Sequence, residues 1–133
     1  MPANEERDYS HRSLVEKLGV EPGSRVSVLG IDDPGFFAQL AEVGADVTTR
    51  TRKDTDLFFV SVERYADMKK LPPLEGSMVR SGGIWVVYPK GQKNIAQAEI
   101  ITLGVELGFV DNKVCSFSDT QTALRFVIPK SRR

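Results

Sequence analysis

Gly82-Gly83-Ile84-Trp85-Val86-Val87-Tyr88-Pro89-Lys90 is the stretch that decides the fold. An apolar run bounded by a glycine pair and a proline reads as a buried central strand. Trp85 and Tyr88, three positions apart, then face opposite sides as core residues. Downstream, Ile95, Ala98, Ile101, Thr102, Val105 and Leu107 mark a helix, with Asn94 as its expected cap and Gly108 as its stop. After Gly108-Phe109-Val110-Asp111, strands are expected over residues 112–117 and 122–128. Strand, crossover helix and a closing pair of strands predict an open, mostly parallel α/β sheet. The link Ser118-Asp119-Thr120-Gln121 is too short for a crossover helix, so the final strand should run antiparallel.

Upstream of the central strand, Leu14 and Leu18 share a face of a short helix that Gly19 ends, and Glu21-Pro22-Gly23-Ser24 is a turn. It delivers the chain into a first strand over residues 25–30. Pro34 suits the first turn of a helix capped by Asp32 or Asp33, packed through Phe36, Phe37, Leu40 and Val43 and closed by Gly44. Short strands follow over residues 45–49 and 55–60, the latter unbroken enough to be covered on both faces. Val62, Tyr65, Met68, Leu71, Leu74, Met78 and Val79 recur at roughly helical spacing, and Pro72-Pro73 divides them into two short helices.

The length of 133 residues fits one domain, over residues 13–129, between a frayed arm (1–12) and a basic tail (130–133). Eighteen basic residues balance eighteen acidic ones, so no global field steers nucleic acid or an anionic membrane, and neither is an expected partner. Cys115 is the single cysteine. It excludes an internal disulfide, fits a reducing compartment, and reads as a small buried hydrophobe. His11 stands alone in the arm, which leaves no metal cluster to propose. The arm does not read as a signal peptide and no apolar run approaches the ~20 residues of a membrane span, so a cytoplasmic location is expected.

The helix and turn before the first strand, the Gly82-Gly83 pair, Gly108-Phe109-Val110 and the terminal hairpin resemble a shortened class I methyltransferase. More closely, Trp85 with Pro89-Lys90, Val110-Asp111 with Lys113-Val114-Cys115, and Leu124 with Phe126 resemble a bacterial family of small uncharacterised proteins with a methyltransferase-like fold. One departure is that a tryptophan expected near residues 120–122 is absent. The resemblance covers residues 14–128. It implies a three-layer Rossmann-like sandwich of about six strands, order 2-1-3-4-6-5, with strand 6 antiparallel. It implies no activity.

Enzymes of the class I methyltransferase kind place a glycine-rich turn and an acid after strand one, and an acid at the end of strand two, to hold S-adenosylmethionine. Here the first segment reads Leu29-Gly30-Ile31-Asp32-Asp33-Pro34-Gly35, without G-x-G, and Pro34 removes an N–H donor. Strand two ends in Thr48-Thr49-Arg50, and only residues 51–54 link it to strand three. S-adenosylmethionine is therefore not expected, and no other cofactor is called for.

Ligands of open α/β sheets bind beyond the carboxyl ends of the strands. That edge is expected to carry Gly30, Asp32, Asp33, Arg50, Arg52, Lys53, Ser61, Glu63, Lys90 and Lys93. Arg50, Arg52, Lys53, Lys90 and Lys93 suggest a positive patch for a phosphate or carboxylate; the alternative is a solvated turn over residues 50–53. Asp32 and Asp33 form either a carboxylate pair for acid/base work or a helix cap. Lys90, set by the rigid Pro89 turn, is either a ligand contact or a solubilising charge. The expected role is a non-catalytic domain binding a small anionic ligand or a protein partner, a second copy included. The alternative is an enzyme, a methyltransferase or another, with a reshaped pocket around Asp32, Asp33 and Lys90.

Overall fold

The computed structural model describes residues 13–133; the expected arm and His11 lie outside the described residues. Six strands form one sheet in the order β2-β1-β3-β4-β6-β5: β1 (Arg25–Leu29), β2 (Asp46–Thr48), β3 (Thr55–Ser61), β4 (Met78–Pro89), β5 (Val110–Ser116) and β6 (Gln121–Val127). β1 to β4 pair in parallel, and β6 runs antiparallel to both β4 and β5. The short β5–β6 link dictates this, since the chain has no length with which to cross a face of the sheet.

Alternation along the strands divides the core in two. Phe58, Val60, Ile84, Val86, Tyr88, Leu124 and Phe126 face helix α3 (Gln97–Glu106) and two 3-10 helices, Tyr65–Lys70 and Pro72–Ser77. Val26, Val28, Leu57, Phe59, Trp85, Val87 and Ala123 face helices α1 (Leu14–Lys17) and α2 (Pro34–Val43). Burying each large side chain contributes about 1.5–3 kcal/mol. Among them, Phe36 meets Phe59 and Phe117 edge to face at centroid distances of 5.1 and 4.9 Å.

Local signals set the helix ends. Ser13 and Glu16 form a reciprocal capping box at α1. Asp33 Oδ1 accepts the Phe36 N–H at 3.1 Å, Pro34 occupies the first turn of α2, and Gly44, at φ 85°, ends it in the left-handed region.

Two expectations need correction. The central strand begins at Met78, not near Ile84. Residues 79–82 stand opposite Asp56 alone in a break of the β3–β4 ladder, so they carry no regular period to read. Asn94 does not cap α3: Ala96 does, without a side-chain bond, and its N–H is taken up by Tyr65 Oη at 2.8 Å. Within the basic tail, Lys130–Arg132 form a 3-10 turn whose Arg132 pairs with Glu75 at 2.8 Å and also donates to Gly108 O.

Candidate functional site

The carboxyl edge brings together Gly30, Asp32 and Asp33 after β1, Ser61 at the end of β3, and Lys90 after β4. Gly30 adopts φ 78°, and a Cβ there would meet Ser61 Cβ at an ordinary 3.4 Å. The backbone angle, not space, is what asks for glycine. The two aspartates do not act as a pair: Asp33 turns inward as the α2 cap, while Asp32 remains exposed. No group of metal-ligating side chains forms among the described residues.

Lys90 is held at both ends. Its backbone N–H donates to Thr120 O at 2.9 Å, and its ammonium donates to Ser116 Oγ at 2.7 Å. Ser116 in turn donates to Ser118 O at 3.1 Å. The β5–β6 hairpin thus fixes the lysine over the end of β4 through neutral partners. Ser116 escaped the sequence reading because only the antiparallel return of β6 carries β5 alongside Lys90. Lys93 is exposed beyond it, and Glu63 contributes its backbone N–H to Asp67 Oδ2 at 2.9 Å.

The expected positive patch is divided. Arg50 stays at the carboxyl end of β2 and lines a groove of about 590 Å³ with Phe37, Ala41, Val47 and Thr49. Arg52 does not share that edge. Its Nη1 bonds Asp46 Oδ1 at 3.0 Å and its Nη2 donates to Asp46 O at 2.6 Å, at the start of β2. Lys53 O likewise accepts from Arg25 Nη2 at 3.1 Å, at the start of β1. The reason is topological. β2 and β3 run the same way, so residues 49–54 must travel back along the sheet, and only the first of them remain at the carboxyl end. Arg50 and Lys90 follow strands three places apart, roughly 14 Å at the usual strand spacing. They cannot be treated as one compact anion clamp.

No protein-family model matches the sequence, and the comparison with curated proteins finds no match. Solved structures do match in fold. A S-adenosylmethionine-dependent methyltransferase from Aquifex aeolicus superposes with a TM-score of 0.68 at 11% identity, over 87% of this chain and 88% of the other. Ribosomal protein L11 methylase from Lactobacillus delbrueckii gives 0.62 at 12%, over 86% and 74%. Magnesium protoporphyrin IX methyltransferase from Synechocystis gives 0.61 at 14%, over 87% and 74%. The chain therefore has a methyltransferase-like, Rossmann-type α/β fold. Identity this low speaks for the fold alone. No helix among the described residues is long and apolar enough to cross a membrane.

Proposed function

We propose that this domain binds rather than methylates, and that it takes a small anionic ligand at the corner made by Lys90 and the β5–β6 hairpin. The observation that carries this reading is the state of Lys90: its ammonium is positioned by Ser116 Oγ and meets no carboxylate within ion-pair distance among the described residues. A held, uncompensated cation past the central strand is suited to a carboxylate or phosphate oxygen. The turn after β1 supports the rest of the reading. Asp33 is engaged as a cap and Pro34 offers no N–H, so that turn has little left with which to hold a methionine-type cofactor.

The test is a thermal-shift titration with inorganic phosphate, acetate and S-adenosylmethionine, on the parent and on Lys90→Ala. A ligand at 100 times its Kd adds about 2.7 kcal/mol, enough to move the transition visibly. Stabilisation by phosphate or acetate that vanishes in Lys90→Ala is the expected result. Stabilisation by S-adenosylmethionine would overturn the reading and restore methyl transfer.

A further inference from the structure

At the opposite, amino end of the sheet lies a polar cavity of about 330 Å³, lined among others by Gly19, Glu21, Ser24, Asp56, Ser81 and Arg125. It exists because of the ladder break described above. Residues 79–82 bulge opposite Asp56, and the turn over residues 19–24 that follows α1 lines the same cavity. Its volume is at the small end for ligand sites, which suits a metabolite of few atoms and not a dinucleotide.

Arg125 is the unusual member. It sits on β6 directly opposite Trp85, on the same side of the sheet as Ala123 and the α1–α2 core. The side chain runs over Gly83, where any Cβ would collide with Arg125 Nε, so the glycine makes room for the guanidinium. Arg125 Nε is buried and unpartnered among the described residues. The Nε atoms of Arg25 and Arg52 are too, but those residues use their terminal nitrogens on Lys53 O and Asp46. The Arg125 guanidinium makes no hydrogen bond or ion pair with any described residue. Burial first, and then the neighbouring Arg133 charge, push it below the usual arginine range, so a bound anion would relieve an unfavourable charge.

The other lining groups decide which anion. Asp56 Oδ2 accepts the Arg25 N–H at 2.8 Å, leaving its second oxygen available, and the exposed Glu21 is a second acidic residue of the lining. Ser24 Oγ accepts the Glu21 N–H at 2.9 Å, so its own hydroxyl proton remains free to be donated. A dianion such as phosphate would meet one guanidinium and two acids. A molecule bearing a carboxylate for Arg125 and an ammonium for Asp56 and Glu21 satisfies all three. We propose that this cavity is a binding site for a small zwitterion of the α-amino acid type, with Arg125 as its carboxylate anchor. The site is separate from the Lys90 corner and stands whether or not that reading survives.

The experiment is an amide-shift titration of the labelled protein with L-alanine, L-serine, L-aspartate and L-phenylalanine. The best binder is then compared with its decarboxylated amine, its deaminated acid and inorganic phosphate. Saturable shifts at Gly19, Gly23, Ser81 and Gly82 are expected with at least one amino acid. Loss of the carboxylate contact, by the amine analogue or in Arg125→Gln, should weaken binding about tenfold or more, the loss of one charge-assisted hydrogen bond. In Asp56→Asn the amino acid should lose its advantage over the deaminated acid. If no amino acid shifts those amides, if phosphate shifts them as strongly, or if Arg125→Gln binds undiminished, the proposal is overturned. The wild-type shifts and the Asp56→Asn comparison decide the matter even if Arg125→Gln fails to fold.

Discussion

The Trp85 indole N–H donates to Leu18 O at 3.1 Å, tying the centre of β4 to the last carbonyl of the α1 turn across a buried interface. One bond thereby fixes where the N-terminal helix meets the sheet, and with it the turn over residues 19–24. Trp85→Phe removes the donor, strands a carbonyl and leaves a void, so it should cost about 2–4 kcal/mol. Urea unfolding checks this. A loss under about 0.5 kcal/mol would mean that the contact is incidental.

Gly104 sets two effects against each other. A mid-helix glycine replaced by alanine ordinarily gains about 1 kcal/mol of helix propensity. Here the new methyl would collide with the Phe126 ring in a closed core, and overpacking costs about 1–3 kcal/mol. Gly104→Ala should therefore destabilise. Combining it with Phe126→Leu should lose less than the two single changes added together, which a double-mutant cycle reads directly.

Most of the sheet was legible because its signals are local. Pro34 and Gly44 bound α2, Pro72-Pro73 separates the two 3-10 helices, and the four-residue link after β5 forces the antiparallel end. Met78 and Val79 misled because they continue the helical spacing of Met68, Leu71 and Leu74 while lying in a strand. The basic run at residues 50–53 reads as one turn, yet it is drawn along the sheet by the direction of β3. Arg125 did leave a trace: in Ala123-Leu124-Arg125-Phe126-Val127 it is the one charged residue among apolar neighbours. What the sequence could not supply was the gap beside Asp56, which depends on a register break between distant segments.

Asp33 distinguishes a capping from a chemical role. Asp33→Ala should lower stability by about 0.5–2 kcal/mol, since it abandons the Phe36 N–H. Asp33→Asn keeps an acceptor oxygen and should stay within about 0.5 kcal/mol of the parent, because aspartate and asparagine are comparable caps. Chemical denaturation of both variants separates these outcomes. An equal, large loss in both would show that the negative charge, and not the cap geometry, matters at that position.

Asp67 gives the fold an acid-sensitive point. Its carboxylate accepts the Glu63 N–H at 2.9 Å and the Arg64 N–H at 3.2 Å, with Lys70 Nζ 3.7 Å away. The Glu63 bond chiefly holds the carboxyl below its ordinary value of 3.8; burial opposes it, and the Arg64 amide and the Lys70 and Arg64 charges add to it. Because the folded value is the lower one, the unfolded chain binds more protons in the window between the two. The stabilisation is present above 3.8 and is lost as pH falls through the folded value. Asp67→Asn should be less stable than the parent at neutral pH and should show a shallower decline below about pH 4. Urea unfolding of both proteins at neutral and acid pH measures the two slopes, and parallel curves would assign the acid sensitivity to other carboxylates.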